Sequence, residues 1–228
     1  MSLSKIIQEL LTRIAASPEL LRGNTPEVKK KLRTQGDSNS QGSGNQVTDQ
    51  EACFAALLEE SSILYYNNTQ KDDGFYYIYQ LNGTQRAIDF QVFELIGGVK
   101  KFIYNFDLKH AKVDYFFLND GWFHTNVIYI ISWMRNLSEP HKKKVTQPST
   151  FISLGQNIPT QNEIALHTQL CEIKKKYNTE YKGVESFRCY IRFANTYKCQ
   201  RFTPDYSHTA LQHVLTFLIP RKRPLAAP

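Results

Sequence analysis

The stretch IDFQVFELIGGVKKFIYNFDLKH, residues 88–110, holds two β-rich apolar runs separated by Gly97-Gly98. The first run follows Asp89, and the second ends in the triplet Asp107-Leu108-Lys109. Successive side chains on a strand point to opposite faces, so Asp107 and Lys109 project together while Leu108 turns to the core. If the runs pair through the IGGVKK connection, Asp89 lies beside Asp107 at one end of the sheet, although seventeen residues intervene in the chain. Two carboxylates and a lysine then converge.

That combination has a chemical use. Carboxylate oxygens are hard ligands suited to Mg²⁺, which keeps several waters and bridges to phosphate oxygens. A lysine beside such a metal can orient or deprotonate an attacking water and offset the charge that grows on phosphorus. Hydrolysis of a phosphodiester fits all three groups. Other nearby polar residues fit less well. Glu94 stands at an odd offset from Asp89 and faces the other side of a regular strand, and His110 points away from Lys109 as a packed or hydrogen-bonded side chain. Asn119-Asp120-Gly121 reads as a turn whose aspartate bonds its own backbone.

Upstream, GFYYIYQL is a further strand, joined through NGT at 82–84, a hairpin signal. Downstream, DYFFL and VIYIISWM, separated by NDGW, supply two more, so four or five consecutive strands form the central sheet. TDQE at 48–51 has capping-box form and opens a buried helix, ACFAALLEESSILY, which Glu59 and Glu60 interrupt. Ile6, Ile7, Leu10, Leu11 and Ile14 recur at helical spacing within residues 4–15. Thr25-Pro26-Glu27 starts a short basic helix through Arg33, and residues 34–46 are polar and glycine-rich, a loop. Residues 138–159 are mostly loop, TQNE at 160–163 caps a helix to about Lys176, SFRCYIRFA at 186–194 is a strand, and Thr203-Pro204-Asp205 opens a last helix to about Leu218. The class is α/β (α+β): a central mixed β-sheet flanked by helices.

The hydrophobic fraction of 41% and the charged fraction of 21% exclude general disorder. Cys53, Cys171, Cys189 and Cys199 form no Cys-x-x-Cys pair and have no zinc-finger spacing to histidine. The N-terminal helix carries Glu9 and Arg13 where a signal peptide has an uninterrupted apolar core, and nothing else is apolar for long enough to span a bilayer. A cytoplasmic protein without a membrane partner is expected. Its net charge of +7 favours a polyanionic partner.

With Asp89 in IDF, Asp107-Leu108-Lys109 in FDLKH and an acidic helix upstream, residues 48–134 resemble the PD-(D/E)XK nuclease superfamily, most closely its type II restriction endonucleases. Ile88 stands where that family often has proline, and the second acid is aspartate rather than glutamate. The resemblance implies a restriction-endonuclease-like core in a single domain over 1–228. Residues 1–47 would be N-terminal helices and a polar loop, 48–134 the catalytic core, and 135–228 the DNA-recognition and C-terminal helical part. It implies Mg²⁺-dependent, sequence-specific hydrolysis of double-stranded DNA to 5′-phosphate ends, as in a restriction-modification system. Asp89 and Asp107 would hold the metal with the Leu108 carbonyl as a further ligand, and Lys109 would be the catalytic lysine. A glutamate from the preceding helix often completes such sites, and Glu59 and Glu60 both qualify.

Reading a duplex requires Arg, Lys, Asn or Gln at base edges, backed by phosphate contacts. Lys142, Lys143, Lys144 and Gln147 offer these in one segment, Gln156 and Asn157 in a second, and Arg188, Arg192, Lys198 and Arg201 in a third. The lysine run reads equally as a solvated loop, and the amides as turn chemistry. A duplex break needs two sites facing antiparallel strands, and the chain has no duplicated motif, so a homodimer on a palindromic target is expected. The helices at 4–15 and 204–218 are candidates for that contact, although either stripe can pack on its own core. Two other readings stand beside this one: a structure-specific repair or junction nuclease of the same fold, and a non-catalytic nucleic-acid-binding protein with structural carboxylates.

Overall fold

Ile128 and Ile130 belong to one cluster of buried side chains, and Val127, Tyr129, Ile131 and Trp133 to another. A strand that alternates between two apolar cores must lie inside a sheet covered on both faces. The computed structural model describes residues 1–39, 47–67, 69–80, 88–111, 115–118, 122–138, 145–180 and 195–219. In chain order its elements are α1 (Leu3–Ala16), α2 (Pro26–Asn39), α3 (Asp49–Glu60), β1 (Leu64–Tyr65), β2 (Gly74–Tyr79), β3 (Phe90–Ile96), β4 (Val99–Ala111), β5 (Tyr115–Leu118), β6 (Val127–Asn136), β7 (Thr146–Leu154), α4 (Gln161–Glu180), β8 (Asn195–Lys198) and α5 (Pro204–Phe217). Six strands form one mixed sheet in the order β1-β2-β3-β4-β6-β7, with β4 and β6 parallel and β2-β3-β4 and β6-β7 antiparallel. The mixed α/β architecture expected from the sequence is therefore present. No described helix is long and apolar enough to cross a membrane.

One face of the sheet carries Phe90, Val92, Phe106, Leu108, Ile128, Ile130 and Ile152, packed against α1 and α3. Ser2 caps α1, whose Ile7, Leu10, Leu11 and Ile14 are all buried in this core. Withdrawing four such side chains would cost about 6–12 kcal/mol, comparable to the whole stability of a domain. The α1 stripe thus belongs to its own core. In α5, Ala210 joins the second cluster and Val214 the first, so this helix wraps the β7 edge and its buried face is likewise spent internally. The capping box at Thr48 and the Thr203-Pro204 start of α5 form as expected.

Three expectations are corrected. Residues 34–39 continue α2 rather than forming a loop, with Thr34 Oγ1 donating back to the Lys30 carbonyl, and one mid-helix glycine is too weak a breaker to stop it. Residues 146–154, read as loop, are β7, because Phe151 packs into one core and Ile152 and Leu154 into the other, while Pro148 is tolerated on a sheet edge. Among the described residues, the YFFL part of DYFFL does not join the central sheet. It becomes β5, paired with β8, and Phe116 and Leu118 cover the second face together with Phe123, Tyr197 and Phe202. The NGT turn, the loop at 40–46, the Asn119-Asp120-Gly121 turn and the strand expected at 186–194 lie outside the described residues.

The end of β7 closes tightly on the loop before β6. A Cβ at Gly155 would stand 2.2 Å from the His124 carbonyl oxygen and 2.8 Å from the Tyr129 ring. Backbone cannot yield as a flexible side chain can, so Gly155→Ala is expected to cost about 2–3 kcal/mol. Urea unfolding measures this, and an unchanged midpoint would refute the close approach.

Candidate active site

β3 begins at Phe90, opposite Phe106, whereas β4 runs on to Ala111 with β6 along its other edge. The last five residues of β4 therefore extend past the start of β3, and Asp89 stands at the point of separation. Its N–H donates to the Phe106 carbonyl at 2.9 Å, and its Oδ2 accepts the Leu108 N–H at 2.7 Å, replacing the strand that is no longer there. A residue in a ladder presents its N–H and C=O on the same edge, so the Leu108 carbonyl faces this gap as well. The hairpin register, shifted by one residue at a bulge between Val92 and Glu94, thus brings together the two acids that the sequence places at the ends of adjoining runs.

Asp107 is 1% exposed, and its Oδ1 accepts from Lys109 Nζ at 2.5 Å. Its Oδ2 is buried and accepts no hydrogen bond, although the Asp89 carboxyl stands within hydrogen-bonding reach of this side chain. Burial pushes the Asp107 carboxyl well above its ordinary range. Lys109 pulls it down, Asp89 pushes it up again, and the balance stays high. Burial acts against the Lys109 charge, but Asp107 and Asp89 outweigh it and hold the ammonium above its usual value. Tyr129, the β6 partner of Asp107, is raised mainly by burial and then by the charges of Asp107 and Asp89.

The helix glutamate nearest this pair is Glu51, not Glu59 or Glu60. Glu51 is 8% exposed, and its carboxyl is pushed up to about 7, first by burial and then by Asp89. Its Oε2 accepts from the Thr48 N–H at 2.6 Å and the Thr48 hydroxyl at 2.7 Å, and its Oε1 from the Tyr79 hydroxyl at 3.1 Å. Glu59 lies two turns away, about 12 Å along the helix, where it accepts from Tyr77 at 2.8 Å and Lys31 at 2.5 Å. Glu60 pairs with Arg13 at 3.1 Å. The structure brings neither to the acid pair. Glu51 was legible only as a capping residue, although a carboxylate flanked by five buried positions, 50 and 52–55, was a signal of burial.

The donors fit a divalent cation. Asp107 offers a buried oxygen without a partner, Asp89 lies against it, and the Leu108 carbonyl shares the gap, all hard oxygens. Among the described residues no three Asp, Glu, His or Cys side chains gather closely enough to hold an ion alone. Mg²⁺ does not require that, because it takes one or two carboxylates and completes its shell with water and phosphate oxygens.

The remaining candidates scatter. His110 contacts Ser132 Oγ at 3.3 Å, and Glu94 sits opposite Lys101. Arg201 donates to Glu163 at 2.7 Å and to the Ile158 carbonyl at 3.0 Å, tying the end of β8 to the start of α4. Lys198 is exposed on β8 beside the Tyr115 ring, and Gln147 is exposed on β7 opposite Arg135. Gln156 is exposed and accepts the Asn126 N–H at 2.9 Å, while the Asn157 carbonyl accepts from Tyr206 at 2.8 Å. Lys142, Lys143, Lys144, Arg188 and Arg192 lie outside the described residues. Comparison with protein-family models, curated proteins and solved structures returned no match.

Proposed function

We propose that the protein is a Mg²⁺-dependent endonuclease that hydrolyses phosphodiester bonds of double-stranded DNA at a specific sequence, acting as a homodimer in the manner of type II restriction enzymes. The observation that carries this reading is the separation of β3 from β4, which puts Asp89, the unpartnered oxygen of Asp107 and the Leu108 carbonyl on one gap with Lys109 alongside. Asp89, Asp107 and Leu108 would hold the ion. Bound there, Mg²⁺ supplies Lewis-acid polarisation of the phosphate and a lowered pKa for an attacking water. Lys109, held against Asp107 and kept charged by the two acids, would offset negative charge growing on the phosphate.

Incubating the protein with a mixed-sequence plasmid and Mg²⁺ tests this directly. Discrete, reproducible fragments are the expected result, with light scattering showing a dimer on the duplex. A smear, or cutting confined to branches and ends, would transfer the same site to a structure-specific nuclease. Salt-sensitive binding without turnover would leave a nucleic-acid-binding protein whose acids are structural.

A further inference from the structure

Two register pairs along from the acids, and so on the same face of the sheet, stand two amides. Gln91 of β3 is opposite Asn105 of β4, and Asn105 precedes Asp107 by two residues. Asn105 and Asp107 pair with Val127 and Tyr129 of β6, both in the second-face cluster, which fixes the side they share. Gln91 Nε2 donates to Asn105 Oδ1 at 3.1 Å. Both side chains are half-buried, and among the described residues that bond is their only one. What remains is the Gln91 carbonyl and second N–H and the Asn105 amino group, so the pair keeps donors to spare. Asn is a poor residue for mid-strand, where a β-branched side chain packs better, and a local preference overridden at such a place calls for a reason.

Strand geometry puts the amides about 6.7 Å from Asp107, and successive phosphates of one strand stand farther apart than their axial rise of about 3.4 Å because the backbone also winds around the axis, so a single nucleotide step covers that span. A strand whose phosphate reaches the acids therefore passes the next phosphate over the amides. Neutral donors suit this position, because a lysine or arginine there would compete with Lys109 for the Asp107 carboxylate. Accepting the nuclease reading above, on which this rests, we propose that Gln91 and Asn105 donate hydrogen bonds to the phosphodiester adjacent to the one that is cut, and so set the register of the strand in the site.

The test uses a short duplex whose cut phosphate has been mapped, and the same duplex with a neutral methylphosphonate at each neighbouring phosphate in turn. Gln91→Met keeps length and volume, and Asn105→Ala removes the partner. Each is expected to raise KM about tenfold on ordinary duplex, the effect of losing one charge-assisted hydrogen bond, with a smaller loss in kcat and unchanged melting. One methylphosphonate position should raise the parent's KM by a similar factor and add nothing further in either variant, since both changes delete the same contact. If the parent cuts but the variants match its KM, or if the losses simply add at both neighbours, the assignment is wrong and the nuclease reading survives. If the parent cuts no duplex, both fall together. Should Asn105→Ala not fold, Gln91→Met alone decides the outcome.

Discussion

Asp107→Asn is expected to lower kcat for DNA cleavage by roughly 10³-fold or more, while the folded protein melts no lower than the parent. Burial is the largest influence on this carboxyl and opposes its charge. A neutral amide of the same shape removes that cost. It also gives up the 2.5 Å contact to Lys109, but the Lys109 ammonium keeps the Asp89 carboxylate as a second opposite charge. A buried carboxylate with a purely structural role behaves in the opposite way, because breaking a buried ion pair costs about 3–5 kcal/mol. Calorimetry and cleavage measured on the same preparation separate the two cases. Lost turnover with unchanged or raised stability, and with duplex binding retained in Ca²⁺, identifies a group kept for chemistry. Cutting at near-parental rate, or a fall in stability that accounts for the lost activity, would remove Asp107 from the site. Lys109→Met should share the kinetic defect, since it leaves the phosphate without its nearby cation.

The acid pair was half readable in the chain: hairpin register is local, but the Gly97-Gly98 turn pairs Ile96 with Val99, and an unbroken ladder from there would set Asp89 opposite Phe106, so the bulge between Val92 and Glu94, which no spacing announces, is what brings Asp89 level with Asp107. Once Phe90 opposes Phe106, Asp89 meets Asp107 whatever the rest of the molecule does. Glu51 was not readable in this way, since its approach to Asp89 depends on where α3 crosses the sheet. That crossing is fixed by Phe54, whose ring centroid lies 5.1 Å from Phe90 and 5.3 Å from Phe106. No spacing in the sequence encodes such a contact. β5 shows the same limit, because its alternation was plain but its partner, β8, pairs Tyr115 with Lys198 far along the chain. Arg201 is the converse case. A basic residue in a basic segment suggests a nucleic-acid contact until Glu163, on a separate helix, is seen to occupy it.

The pH dependence of stability should show the environment of Glu51 without any assay of activity. Burial first, and Asp89 second, raise this carboxyl from an ordinary 4.5 to about 7, against the opposing hydrogen bonds from Thr48 and Tyr79. In the unfolded chain the group ionises near 4.5, while in the folded protein it keeps its proton until about 7. Its proton therefore favours the native state fully below the unfolded value, and that support drains away as pH rises through this window. The loss is on the order of 3 kcal/mol by pH 8. Glu51→Gln still offers an amide oxygen to the Thr48 N–H, so the cap persists without a titrating group. Urea unfolding of parent and variant should agree near pH 4 and separate progressively to about 3 kcal/mol in favour of the variant at pH 8. A gap independent of pH would mean that Glu51 acts only as a cap and lies outside the influence of Asp89. Adding Mg²⁺ at pH 8 should recover part of the parent's loss, because an ion that binds only the folded state stabilises it in proportion to RT ln(1 + [Mg²⁺]/Kd). The same addition to Asp107→Asn should recover much less, which would tie the helix glutamate and the strand acids to one electrostatic site.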